Sequence, residues 1–508
     1  MLQRLFVAGC VAAALTACGG AESLDTSTTT NATPPAGSQP PSPAPAPSPT
    51  PAPQPAPAPP PSGESLPTLG ACDSLTPMPT KPSNARTLAQ FGILPSDTKD
   101  QGAAIQAAMD ALKPGEWLVF PAGKYLHARS LRLKVANTTL WSDGATLVAT
   151  NPADTALALQ ADGTSAYGFR LHTVTDTRRS GMFMHRLLVT PLGSARVRNV
   201  TLRRNIIENG GAPGTSLANG SSATGIFVYH ADNFLIAENT VKRSLADAIH
   251  MTSGSINGRV ILNTVRENGD DMIASVSYMG PQGVSATTLA SNLSTLLAER
   301  LNKNILITRN DVSGQYWGRG ITVVGGQDIT IQNNKIANTT HGAGVLLARE
   351  ASYTSFGVHN IVVRNNDIQH VQTTDAAYAA NGRSTTPTRT GHGGIEIQSY
   401  ASAEETAHST IGPAIRVDRI LVENNTVNDT LADGIRVGPG GGQAGLIGLV
   451  NNQLSKIGKS ALNLMDSGTT SFNVFCSGNK DDGNATSHNY CMGSKPAVTG
   501  ASLTCSTT

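Results

Sequence analysis

The sequence predicts an all-β fold: a parallel β-helix, built as a single-stranded solenoid with a capping helix at its N-terminal end. Three observations predict it. From about residue 197 one unit recurs, an apolar-x-apolar stretch, an Asn, a turn, then Gly or Ala and a second alternating stretch. The Asn positions are Asn205, Asn239, Asn263, Asn310, Asn334, Asn366, Asn425 and Asn452, and the short intervals between them span 24 to 27 residues. A fixed repeat of that length marks a solenoid. The second stretches read Gly225-Ile-Phe-Val, Ala248-Ile-His-Met, Met272-Ile-Ala-Ser, Gly320-Ile-Thr-Val, Gly344-Val-Leu-Leu, Gly394-Ile-Glu-Ile, Gly434-Ile-Arg-Val and Ala461-Leu-Asn-Leu. Alternation with period two is a strand signal. No amphipathic helix separates the stretches, which excludes leucine-rich and helical repeats. The recurring Asn reads as a structural ladder, because Asn tolerates left-handed backbone and its amide can bond the Asn above and below.

The chain opens with a basic start at Arg4, an apolar run from Leu5 to Leu15, and small residues up to Cys18. That is the layout of a secretory signal over residues 1–17. The ending Leu15-Thr-Ala-Cys18 resembles a bacterial lipobox, which implies cleavage before Cys18, lipidation of Cys18 and, with Gly19 next, residence at the outer membrane, facing the periplasm or the cell surface. Residues 18–65 follow as a tether, since 15 of the 30 prolines fall between Pro34 and Pro61. A Pro/Ala/Ser stretch buries no core and stays extended. Cys10 leaves with the signal. Cys72, Cys476, Cys491 and Cys505 remain, an even number in an exported chain, so two disulfides are expected and three pairings stay open. The β-helix is expected over 66–475, with a disulfide-linked cap over 476–508.

Composition narrows the partners. The formal net charge is +2, from 37 basic and 35 acidic residues. Without a basic excess, nucleic acid is excluded as a partner. After the first twenty residues no apolar run has transmembrane length. The expected partners are a polysaccharide and, through the lipid, a membrane; the protein itself is expected to be a monomer.

Asp97 to Leu112 reads as a helix with Ile105, Ala108, Met109 and Leu112 on one face, suited to cover the open end of the first coil. The segment from Asp100-Gln-Gly-Ala-Ala-Ile-Gln-Ala-Ala-Met-Asp-Ala-Leu to Phe120-Pro-Ala-Gly-Lys-Tyr resembles the opening of pectate-lyase-superfamily proteins. The resemblance spans roughly residues 90 to 480, and it implies a right-handed parallel β-helix that acts on polysaccharide.

Two neighbouring coils carry acids at one phase: Asp247 stands eight residues after Asn239, and Asp271 eight after Asn263, with Asp270 beside it. Like charges about 5 Å apart repel and raise one pKa. Glycoside cleavage uses such a pair as acid and base or nucleophile. The competing structural role is capping of turns, as Asp433-Gly434 shows in a turn without a partner acid. Leu245-Ala-Asp247, Gly269-Asp270-Asp271 and Trp317-Gly318-Arg319-Gly320 together resemble glycoside hydrolase family 28, the polygalacturonases, with Arg319 where that family has His. The resemblance implies that Asp247, Asp270, Asp271 and Arg319 are catalytic and that hydrolysis inverts the anomeric centre. The next outward strand positions, His250, Ala274, Thr322, Glu396, Arg436 and Asn463, should form one line. His250, Tyr316, Trp317, Glu396 and Arg436 are the candidate substrate-binding residues; Glu396 with Arg436 also reads as a plain ion pair. Insertions at about 280–303, 371–392 and 400–415 should wall a groove. No cofactor or metal is expected for a hydrolase. A lyase or epimerase acting on uronates is the alternative, with Arg319 as base and calcium held by the acids. A non-catalytic glycan-binding surface is the third reading.

Overall fold

The computed structural model describes residues 74–501, apart from 152, 174–180, 210–223, 377–385, 387, 439, 441, 443–444, 465–472 and 483–497. The signal, the tether and Cys18, Cys72, Cys491 and Cys505 lie outside the described residues; Cys476 stands in the last strand of the first sheet, Asn473–Ser477. No helix among the described residues is long and apolar enough to cross a membrane.

Three sheets of 13, 13 and 11 strands run the length of the body, and after the first coil each takes every third strand in chain order. All named pairings are parallel and neighbouring coils keep register. The register follows from the alternation: Ile226, Ile249, Ile273, Ile321, Val345, Ile395, Ile435 and Leu462 stack one above another in the third sheet. All are buried in one apolar core that runs the length of the solenoid. A one-residue slip would turn that whole set outward, so the pattern fixes the register. Coils begin earlier than the repeat suggests, at Arg86–Thr87, and the last one reaches Lys480–Asp481.

The Asn ladder forms where the first sheet turns into the second. Asn239 Nδ2 donates to Asn263 Oδ1 at 3.0 Å, and the relay continues through Asn310, Asn334, Asn366, Asn425 and Asn452 to Asn479. One detail differs from expectation. The left-handed residue is the one before each ladder Asn, among them Arg204, Glu238, Leu262, Arg309 and Asn424, with φ between 54° and 58°. The coil therefore accepts non-glycine residues in αL at about 1 kcal/mol each because the buried amide ladder fixes the turn.

The capping helix is shorter than the sequence suggests, Gly102–Asp110, with Ile105, Ala108 and Met109 buried. Ser96–Asp100 is a strand instead. The Asp100 carboxylate ends it by accepting from Gly102 N at 3.0 Å and Ala128 N at 3.1 Å. The insertions that leave the third sheet gather on one side. Ala286–Ser291, Leu293–Arg300 and Ile411–Ala414 are helices, and Met279, Leu289, Phe356, Ile411 and Ile415 give this wall its own apolar cluster.

Candidate active site

The site lies where the second sheet turns into the third. Asp247 precedes the strand Ile249–Thr252; Asp270 and Asp271 precede Ile273–Val276 one coil on; Trp317 to Arg319 precede Ile321–Val324. Strict alternation would aim Asp247 and Asp271 into the core, yet both precede their strands and point along the solenoid axis instead. Asp247 Oδ1 accepts from Asp271 N at 3.0 Å, and Asp271 Oδ1 from Arg319 N at 2.6 Å. Asp433 does the same for Ser460 N at 3.1 Å. Capping is thus real at these positions, and it uses one oxygen of each carboxylate. It also pins the acids in place.

One oxygen from each of Asp247, Asp270 and Asp271 lies within 4.8 Å of the others. Such a trio could hold a divalent cation or flank a scissile bond. Asp270 and Asp271 are each 5 % exposed. Burial pushes the Asp271 carboxyl well above the usual range; Asp270 and Asp247 push the same way, against the opposing pull of Arg319. Gly318 permits this closeness, because a Cβ there would overlap the Asp270 and Asp271 carboxylates.

The flanks are aromatic and basic. His250 Nδ1 meets Asp247 Oδ2 at 2.6 Å. Phe227 stacks on His250 at 5.2 Å, and His185 on Phe227 at 3.8 Å. Desolvation holds His185 down to about 3, so it is neutral. On the other side Trp317 stacks on His341 at 4.1 Å. Arg319 Nη1 lies 3.9 Å from Asp271 Oδ1, and its Nη2 donates to Glu350 at 2.8 Å.

Of the candidates, then, Asp247, Asp270, Asp271, Arg319, His250 and Trp317 come together. Tyr316 is buried with Leu245 and Ala376, and Trp317 packs against them, so Tyr316 packs the turn. Glu396 and Arg436 stand further along the solenoid as an ion pair, Nε to Oε1 at 2.8 Å, with Glu396 fully buried. The outward line is in register as expected, with Leu346 inserted between Thr322 and Glu396. It does not floor an open groove, however. Ala274, Thr322, Leu346 and Glu396 are all buried, and Tyr278 and Ala343 help to roof the apolar ones. Phe227 and Glu350 were not among the sequence candidates. Phe227 was findable, because it holds the position in Gly225-Ile-Phe-Val that His250 holds in Ala248-Ile-His-Met. Glu350 begins an insertion and carries no periodic signal.

The family model for the right-handed β-helix region matches residues 221–481, just over half of the chain. The chain belongs to the right-handed β-helix family. No curated protein sequence matches it. Among solved structures it is similar to the catalytic unit of a thermostable GH87 alpha-1,3-glucanase from Streptomyces thermodiastaticus, at 17% identity and TM-score 0.51, over 81% of this chain and 71% of that chain. It is also similar to the surface adhesin PfbA of Streptococcus pneumoniae, at 13% identity and TM-score 0.50, over 78% of this chain and 90% of that chain. The mannuronan C-5 epimerase A-module of Azotobacter vinelandii aligns at 16% identity and TM-score 0.47, over 78% of this chain and 99% of that chain. At these identities the likeness shows the shared β-helix, and one fold hosts many activities.

Proposed function

We propose that the protein is an exported, lipid-anchored β-helix enzyme that cleaves glycosidic bonds of a polysaccharide by carboxylate catalysis. The observation that carries this is the convergence of Asp247, Asp270 and Asp271 from adjacent coils within 4.8 Å. Their environments differ, which separates their roles. Asp271, whose carboxyl burial and acidic neighbours push towards the protonated form against the pull of Arg319, donates a proton to the leaving oxygen. Asp247, with its second oxygen on His250, acts as the partner carboxylate. Asp270 completes the negative field that stabilises an oxocarbenium-like transition state. Arg319, held by Glu350, orients Asp271 through its backbone N–H. The glucanase neighbour supports the reading only in that its fold carries this kind of chemistry.

The spacing bears on stereochemistry. Inverting enzymes hold their carboxyl groups about 6.5–9.5 Å apart to admit a water, and retaining ones about 5–5.5 Å. With one oxygen of each carboxylate within 4.8 Å of the others, the closeness is nearer to the retaining arrangement and favours attack by Asp247, against the inversion implied by the resemblance to polygalacturonases. NMR of the first-formed products should therefore show the substrate's own anomer; the opposite anomer would remove the nucleophile role from Asp247.

The second reading, lyase or epimerase, is favoured by one feature: the same three oxygens could grip calcium. Arg319 suits the base role poorly, because both arms of its guanidinium face carboxylates. Product analysis separates the two. Hydrolysis yields new reducing ends without ultraviolet absorbance. A lyase yields an absorbing unsaturated sugar, and chelator would abolish its activity.

A further inference from the structure

Both ends of the described chain lie on one face of the solenoid and run towards each other. Leu235, Ala237, Ile261 and Leu306 stand on the outer side of the first sheet, yet they are buried. Leu75 and Ala501 join them in one apolar cluster. At the N-terminal end Arg203 Nη1 donates to the Thr76 carbonyl at 2.8 Å, and Arg259 Nη2 donates to the Ser74 carbonyl. From Thr76 back to Ser74 the chain thus moves two strands up the sheet, from Val197–Arg203 to Ile256–Ile261. At the C-terminal end Asn360 Oδ1 accepts from Thr499 N at 2.9 Å, and Thr330 Oγ1 accepts from Ala501 N at 2.9 Å. From Thr499 to Ala501 the chain moves one strand down, from Val358–Arg364 to Gly326–Gln332.

The strands that hold Ser74 and Ala501 are two spacings apart, about 10 Å. Cys72 comes two residues before Ser74, and Cys505 four residues after Ala501. Those six residues span about 20 Å when extended, enough to close the gap and the roughly 5.5 Å between the Cα atoms of bonded cysteines. Cys476 is disulfide-bonded, but it stands elsewhere. It packs against the interior core from Asn473–Ser477, in register with the core residue Leu449. That strand is six spacings, about 29 Å, from the one that holds Ser74, and its cysteine is on the inner side of the sheet. Ser74 and Ala501 are both on the outer side.

We propose that Cys72 and Cys505 form a disulfide that ties the root of the Pro-rich segment to the C-terminal tail across the first sheet, which leaves Cys491 to Cys476. The bond forms by exchange with a disulfide donor of an oxidising compartment. One thiolate attacks the donor disulfide, and the other displaces the donor from the mixed disulfide. The donor takes the two electrons and leaves as a dithiol. The bond also fixes an orientation. The acids stand at the corner between the second and third sheets, the corner that the first sheet does not form, so the tether is rooted on the side away from them.

The test is a disulfide map of the full chain, produced by secretion and alkylated before unfolding. Trypsin cuts at Lys480, and cyanogen bromide after Met78, Met465 and Met492, so these four cysteines fall in separate fragments. The expected result is a Cys72–Cys505 pair of fragments that reduction separates. Cys72 joined to Cys476 or Cys491, or Cys72 and Cys505 both recovered alkylated, would overturn the proposal. Amide exchange reads the same bond across the molecule. Cys505→Ser should speed exchange at residues 74–76, at the other end of the chain, about tenfold, while the strands beneath keep their protection. Unchanged exchange at residues 74–76 would defeat the proposal too.

Discussion

Asp271→Asn should cut turnover by about 10²–10⁴-fold, the range for loss of a general acid, while the protein stays folded. Asn keeps a carbonyl oxygen able to accept the Arg319 N–H that Asp271 now holds at 2.6 Å, so the turn keeps its cap. A pure capping role predicts the opposite, turnover within a few-fold of wild type. The pH dependence gives a second, independent readout. Asp271 titrates above its unfolded value because it is buried beside Asp270 and Asp247. Its folded pKa is raised, so wild-type stability is fully present below the unfolded pKa, about 3.9, and falls as pH rises through the folded value. The Asn variant carries no such charge. It should melt higher than wild type at neutral pH, and the difference should close as the pH drops to about 4. Wild-type activity should fade over the same rise in pH, as the acid loses its proton. Thermal melts and pH–rate profiles of the two proteins check both signs.

Asn263→Ala should cost about 3–5 kcal/mol of stability. Asn263 Oδ1 accepts from both the backbone N–H and the Nδ2 of Asn239, and its Nδ2 donates to the Ile236 carbonyl and to Asn310 Oδ1. Ala removes all four bonds at a buried turn, and each group left unpaired there costs about 1–3 kcal/mol. The preceding Leu262, at φ 57°, would lose the bonds that hold it in αL. Calorimetry is the suitable measurement, because a repeat array need not unfold in one step. A loss under about 1 kcal/mol would mean that the ladder is an accompaniment of the fold and not a cause of it.

Different physics governs the legible and illegible parts of this chain. The coils were readable because their signal is periodic: Ile249, Ile273 and Ile321 recur at one phase, and only one register buries all of them. The ladder was readable for the same reason, although the left-handed strain falls on the residue before each Asn. The helix boundary at Gly102 was not readable, because the long-range bond from Ala128 N to Asp100 decides it. At the site, stacking of Asp247 under Asp271 follows from their equal distances to the ladder. Their direction does not. It depends on backbone N–H groups of the next coil, which no pattern of side chains reveals. The part that Tyr278 plays in covering Ala274 and Leu346, and the hold of Glu350 on Arg319, come from segments where periodicity ends.

The central claim is that three converging carboxylates add water across a glycosidic bond. Mass spectrometry of products made by the wild-type protein in ¹⁸O-labelled water tests it most directly. Each new reducing end should carry one heavy oxygen, and Asp271→Asn should form such ends about 10²–10⁴-fold more slowly. Products lighter by one water with no label, or a polymer left intact while its sugars change configuration, would contradict the account.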